Sequence, residues 1–207
     1  MYKIIKRAFD LVISIVGFPF FCLIYIPVAL AIKIDDHGPI FYYDHRLGKN
    51  SKEFIMYKFR TMKVNSPMLV NKDGSTYNSK DDPRVTKIGR FLRETSLDEI
   101  PQLLNVLKGE MSIIGPRAST YDAKDTFLPD EKDKMKVRPG ITGYTQAYYR
   151  NSIGTHEKRV LDAWYANNAS LLLDMKIFFK TISTVLRHKN VYSNNGRPED
   201  NKDVREI

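Results

Sequence analysis

Cysteine is all but missing: the 207-residue chain has one, Cys22, so no intramolecular disulfide can staple the fold. The four histidines, at 37, 45, 156 and 188, stand in no paired spacing, which leaves no Cys/His zinc site. Phosphate-cradling glycine motifs are absent as well. There is no G-x-G-x-x-G and no Walker A lysine loop, so dinucleotide and P-loop NTPase readings lose their support. No two aspartates stand two residues apart, which excludes the Asp-x-Asp metal motif of many glycosyltransferases, and there is no G-x-S-x-G nucleophile elbow. No internal repeat is visible.

What is present is a chain that should fold. It is 43% hydrophobic and 28% charged, within the range of globular domains. Its length fits one domain with appendages. The formal net charge of +9 implies an anionic partner: nucleic acid, acidic lipid or a phosphorylated small molecule.

Charge is missing altogether from Leu11 to Ile32. As a helix this run would be about 33 Å long, enough to cross a hydrocarbon core. Lys3, Lys6 and Arg7 precede it and Lys33 follows. The run exceeds a secretory h-region, although Ala29-Leu-Ala31 imitates a cleavage site. A simple span should leave a positive side and a less positive one, yet residues 1–34 carry +3 and the remainder +6. Pro19 and Pro27 each remove a helical hydrogen bond and encourage a kink. The expectation is a re-entrant segment over residues 1–34, broken and returning to the leaflet it entered.

Downstream, residues 35–189 read as one domain and 190–207 as a polar, flexible tail. Ile40–Tyr43 and Phe54–Phe59 predict a hairpin across Gly48–Lys52, with Lys58 and Arg60 sharing a face. Residues 63–84 read as a mobile loop. Thr86–Arg93 predicts a short basic helix with Ile88, Phe91 and Leu92 inward. Tyr144–Tyr149 reads as a strand, and 157–166 and 170–187 as helices. The second helix is apolar nearly all round yet holds Asp174, which must pair, face solvent or serve a site.

The stretch from Thr95 to Arg117 carries the chemistry. Asp98 and Glu99 are adjacent, with Ser96 and Glu99 at capping-box spacing. Leu97, Ile100, Leu103, Leu104 and Leu107 predict one buried helical stripe, ended by Lys108-Gly109. Pro101 implies a distorted first turn or a regular helix that begins there. Acids at a helix start are commonly only electrostatic partners of its N-terminus. A carboxylate can also attack phosphorus. Cationic side chains and a divalent ion on the neighbouring acid would relieve the repulsion between two anions.

These residues resemble a known family. Lys6-Arg-Ala-Phe-Asp10, Tyr57-Lys-Phe-Arg-Thr-Met62, Ser96-Leu-Asp-Glu99, Asn105-Val-Leu-Lys-Gly109, Gly115-Pro-Arg117, Arg138-Pro-Gly-Ile-Thr-Gly143 and Leu173-Asp174 stand in the order found in bacterial sugar transferases, the monotopic phosphoglycosyl transferases. The resemblance runs from Lys6 to about Lys189. It implies a helix-rich mixed α/β catalytic domain on the cytoplasmic face of the bacterial inner membrane. It implies transfer of a sugar phosphate from a UDP-sugar to undecaprenyl phosphate, the first membrane step of polysaccharide or glycoconjugate assembly. In that scheme Asp98 is the nucleophile and UMP leaves, Glu99 binds Mg2+, Lys58, Arg93, Arg117 and Arg150 bind phosphate or nucleotide, and Asp174 is a further functional carboxylate. Membrane lipid is an implied partner, nucleic acid is not, and a homo-oligomer is left open. Two positions depart from the family pattern. Cys22-Leu23 stand where members carry a helix-breaking Ser-Pro, and Gln146-Ala-Tyr-Tyr-Arg150 replaces a glycine-containing form.

Two competing classes are a membrane-tethered nucleic-acid-binding protein and a non-catalytic membrane adaptor. Salt-sensitive oligonucleotide binding without turnover would mark the first. Absence of UMP release from any UDP-sugar would mark the second.

Overall fold

The structure, a computed structural model, describes residues 1–69 and 77–186. The expected tail, the end of the last helix and the Asp73-Gly74 turn lie outside the described residues. The architecture is mixed and helix-rich. Helix α1 (Tyr2–Asp36) leads into the hairpin β1 (Phe41–Leu47) and β2 (Glu53–Phe59). Helix α2 (Lys87–Thr95), a 3-10 segment (Leu97–Gln102) and α3 (Leu103–Lys108) follow. Then come β3 (Ser112–Ile114), β4 (Ser119–Thr120), β5 (Gly140–Thr142), α4 (Tyr144–Tyr148), α5 (Thr155–Asn168) and α6 (Leu171–Leu186). Strands β2, β1 and β4 form an antiparallel sheet in that order, and β3 pairs in parallel with β5.

Helix α1 is 35 residues, about 52 Å, and stays helical through Pro19 and Pro27. The expected break is therefore not what this chain does: two lost hydrogen bonds in so long a helix are outweighed by docking along its whole length. At its N-terminal end Tyr2 and Lys6 reach Asp174, and Arg7 donates to the carbonyls of Val106 and Leu107 at 2.7 and 3.1 Å. A turn further on, buried Asp10 accepts from Ser112 Oγ and the Ile113 amide, both at 2.9 Å. At the other end Asp35 caps the Ile88 amide and Asp36 pairs with Arg60. Both ends are thus tied to one domain. The opposite side of α1, with Val12, Ile15, Val16, Phe20, Leu23, Ile26 and Leu30, is exposed and apolar.

Two cores meet along α1. The first gathers Phe54, Met56, Val106, Met111, Ile113, Ile114, Tyr165 and Ile177; the second gathers Phe21, Val28, Ile32, Phe59 and Leu92. The expected hairpin forms, with Phe41 registered against Phe59 and Leu47 against Glu53. Its β2 edge is covered by a side chain. Asn105, fully buried, accepts from the Tyr57 amide at 3.1 Å and donates to the Ile55 carbonyl at 2.7 Å. This satisfies an edge that would otherwise present bare backbone groups.

Several expectations change. The inward face of the 3-10 segment and α3 is Pro101, Gln102, Asn105 and Val106, not the leucine stripe. Leu103 instead lies under α1, where Gly17 leaves room for it, and Leu97 and Ile100 flank the second core. Ser96 precedes the 3-10 segment at its N-cap position but makes no side-chain capping bond there: it sits in left-handed geometry (φ 59°), being also the C-cap of α2. Pro101 lies within a 3-10 turn, the distorted start that its ring geometry demands. Gly109 takes the left-handed end, as its sequence predicts.

Tyr144–Tyr148 is a helix rather than a strand. Tyr144 and Tyr148, four apart, pack with ring centroids 4.9 Å apart and planes tilted by 34°, and this i, i+4 pairing overrides tyrosine's strand preference. Phe91 points outward, since Ile88 and Leu92 already occupy the inner face of a nine-residue helix. Lys58 and Arg60 part company where β2 ends, Lys58 going to Glu99 and buried Arg60 to Asp36. The described part of the 63–84 loop is pinned by Arg84, which bonds Asp82 and the carbonyls of Pro67 and Tyr77.

Candidate active site

The 3-10 segment places Asp98 and Glu99 at its start, and four separate elements bring cations to them. Lys58 comes from the end of β2 and sits 2.7 Å from Glu99 Oε1. Arg117 follows the turn after β3 and lies 3.9 Å from the same oxygen. Arg150 follows α4 and donates to Ser96 Oγ at 3.1 Å. Arg93, in the last turn of α2, donates to Thr61 Oγ1 at 3.0 Å.

Close backbone approaches set these positions. A Cβ at Gly89 would meet the Thr61 carbonyl oxygen at 2.0 Å, so only glycine lets α2 lie against that segment and aim Arg93. A Cβ at Gly140 would meet the Gly115 nitrogen at 2.1 Å. The turns that carry Arg117 and lead to Arg150 are therefore packed backbone to backbone.

The electrostatics divide the two acids. Burial pushes Asp98 up to about 6, and Glu99 adds to this, while Lys58, Arg93 and Arg117 oppose it. Glu99 moves the other way. Burial would raise it, but Lys58 first, then Arg117 and Arg150, hold it below the usual carboxylate range. Glu99 remains 22% exposed, so burial acts on a group that still meets water at one side. Near neutral pH both carboxylates are ionised, Glu99 securely and Asp98 against resistance. An acid kept anionic at a cost, among cations, is suited to attack an electrophile that brings negative charge.

Beside this cluster lies a shallow depression of about 230 Å3 including its open mouth. Lys58, Glu99, Gln102, Arg117 and Gln146 contribute to its lining. Among the described residues no group of three or more His, Cys, Asp or Glu gathers to hold a metal. One or two acids are what a protein commonly supplies to Mg2+, the ion's other positions being filled by water and phosphate oxygens.

Six of the seven residues singled out from the sequence meet here: Asp98, Glu99, Lys58, Arg93, Arg117 and Arg150. Asp174 does not join them. It is buried in α6 and accepts from Lys6 Nζ (2.7 Å), Tyr2 Oη (2.9 Å) and Tyr165 Oη (2.6 Å), fastening α1 to the α5–α6 pair. Sequence reasoning passed over Asp162, buried in α5 behind Arg117. The signal that flagged Asp174, an acid in an apolar helix, was equally present in Val160-Leu-Asp-Ala-Trp164.

A family description, bacterial sugar transferase, matches residues 1–188. The chain belongs to that family. Among curated relatives it is 36% identical over 192 residues to the UDP-N-acetylgalactosamine-undecaprenyl-phosphate N-acetylgalactosaminephosphotransferase of Aeromonas hydrophila, covering 90% of this chain and 44% of that protein. It is 37% identical over 204 residues to the undecaprenyl-phosphate galactose phosphotransferase of Salmonella typhimurium, covering 92% of this chain and 42% of that protein. The chain thus spans less than half the length of these two relatives. With the exopolysaccharide production protein ExoY of Sinorhizobium fredii, 38% identity over 198 residues covers 90% of this chain and 88% of that protein.

Proposed function

We propose that this protein transfers a sugar-1-phosphate from a UDP-sugar to undecaprenyl phosphate, through a phosphosugar carried on Asp98. The observation that carries the reading is the convergence of four cations on one adjacent pair of carboxylates with opposite pKa displacements. An Asp98 carboxylate oxygen attacks the sugar-linked phosphorus; a new P–O bond forms, the bond to the UMP oxygen breaks, and UMP leaves with that electron pair. A phosphate oxygen of undecaprenyl phosphate then attacks the same phosphorus, the acyl-phosphate bond breaks, and Asp98 returns as carboxylate. The products are UMP and undecaprenyl diphosphosugar.

Lys58, Arg93, Arg117 and Arg150 bind and neutralise phosphate oxygens, which lowers the repulsion between attacking and attacked anions. Mg2+ supplies further positive charge to those oxygens when bound. Glu99 would hold the ion. Names of relatives support the donor and the lipid acceptor, and that of the ExoY relative supports a role in exopolysaccharide production.

The protein works at the cytoplasmic face of the bacterial membrane as a monotopic enzyme. Both ends of α1 bond to one domain, which supports a helix that keeps both ends on the same side of the membrane. Its exposed apolar side and that of α6 (Leu172, Phe179, Leu186) meet lipid.

The test uses detergent-solubilised protein, Mg2+ and a panel of UDP-sugars. Donor alone should add the mass of one phosphosugar to the wild-type chain and nothing to Asp98→Asn. An active preparation that completes the donor half-reaction without ever carrying the adduct rules the reading out.

A further inference from the structure

Asp162 lies in α5, is 1% exposed, and touches neither Asp98 nor Glu99 in any described contact. Its Oδ2 accepts from the backbone amide of Arg117 at 3.1 Å and from Lys134 Nζ at 3.1 Å. Its Oδ1 accepts from Thr145 Oγ1 at 2.9 Å. Lys134 is itself 5% exposed, so the pair is a buried ion pair whose remaining acceptor positions are spent on two other elements. A buried carboxylate is tolerated only when satisfied in this way.

The two elements it holds carry two of the site's arginines. Arg117 is held directly, at its own amide. Arg150 is held one step away. The Thr145 carbonyl accepts from the amides of Tyr149 (2.9 Å) and Arg150 (2.8 Å). Arg150 is left-handed, φ 50°, a conformation unfavourable for a side-chain-bearing residue unless its surroundings impose it. That turn sends the guanidinium back to Ser96, two residues before Asp98.

We propose that Asp162 is a positioning residue, a single buried anion that sets the spacing of the two phosphate-binding arginines, Arg117 through its amide and Arg150 through Thr145. The assignment of phosphate to these arginines rests on the function proposed above; the mechanical coupling does not. Each arginine stands on a short irregular turn with little structure of its own, and the shared carboxylate makes the two turns one unit. A diphosphate donor needs its two cations at a fixed separation, and a displacement of either weakens binding without removing any group that touches the substrate.

The experiment compares wild type with Thr145→Val and Thr145→Ser, because Asp162→Asn strands Lys134 and can simply unfold the chain. Thr145→Val cuts only the arm to Arg150 and leaves the ion pair intact. Three quantities are read: UMP affinity by calorimetry, amide hydrogen exchange at Arg117 and Arg150, and the melting temperature. Thr145→Val should weaken UMP about five- to tenfold, the worth of one buried hydrogen bond. It should also speed exchange at Arg150 more than at Arg117 and leave melting within a few degrees, and Thr145→Ser should restore all three. Unchanged exchange at Arg150 together with unchanged UMP affinity in Thr145→Val overturns the proposal. If wild type itself binds no UMP while exchange at Arg150 still responds to Thr145→Val, the coupling stands and the proposed function falls.

Discussion

Two acidic clusters in this molecule share an apparent recipe, carboxylate beside lysine, and differ in what the carboxylate has left to give. Asp174 is enclosed by Lys6, Tyr2 and Tyr165 and joins three helices. Asp98 and Glu99 stand at an irregular turn beside an open depression, facing more cations than they need for neutrality. The first arrangement saturates the anion, so its work is cohesion. The second keeps it under tension, one acid pushed up by burial and the other held down by Lys58. A buried acid marks a place that matters; whether it matters for packing or chemistry depends on how many of its lone pairs the protein has already spoken for.

The sharpest way to break this contrast is to neutralise each acid in turn. Asp98→Asn should cut UMP release by at least ~10^3-fold, as loss of a nucleophile does, while the protein stays folded; turnover near wild type would show the tension to be incidental. Asp174→Ala should do the reverse. Breaking a buried ion pair costs about 3 kcal/mol or more, so melting should fall by many degrees, while activity per folded molecule changes far less. A raised donor KM at an unchanged melting temperature would place Asp174 among the substrate-binding groups after all.

pH separates them further. The folded chain holds the Asp98 proton more tightly than the unfolded chain, whose carboxyl titrates near 3.8, so ionising it works against folding as pH rises from 3.8 to about 6. Asp98→Asn should therefore melt above wild type at pH 7.5, with the gap closing towards pH 4. The donor half-reaction should rise with pH through about 6, and Lys58→Gln, which removes the largest favourable charge, should move that rise to higher pH. A profile flat between pH 5 and 8 would contradict the displaced pKa. The smallest effect is expected from Ser96→Ala, which removes one hydrogen bond from Arg150 and should raise the donor KM severalfold with kcat little altered.

Much of the fold was legible because it rests on local pattern. Aromatic-rich runs either side of Gly48–Lys52 identified the hairpin, and the charge-free run identified α1. Lys108-Gly109 marked the end of α3. The errors have a common cause. The spacing of Ser96 to Glu99 fits a capping box, but α2 ends there, turns Ser96 left-handed and leaves its side chain without a capping bond. Tyrosine's preference for strands makes Tyr144–Tyr149 a strand candidate, yet Gly143 starts a short helix whose rings pack at a tilt. The leucine stripe was sound as a pattern and wrong in its object: it faces α1 and the second core, while a polar residue, Asn105, faces the sheet. Each is a case in which the neighbouring element, absent from any local window, chose between two locally acceptable answers.

The six residues that gather around the depression were legible in the sequence, the adjacent carboxylates from their pairing and Lys58, Arg93, Arg117 and Arg150 from motifs that resemble the family's. Their assembly was not readable. Lys58 and Arg150 lie 92 residues apart in sequence and meet only because Gly115 and Gly140 let two backbones touch and because Asp162 bonds across three elements. Residue type follows from the reaction. Distance, burial and the number of satisfied lone pairs arise only when separate segments exclude water from between them, and those quantities set Asp98, pushed up by burial beside an open depression, apart from Asp174, enclosed by Lys6, Tyr2 and Tyr165.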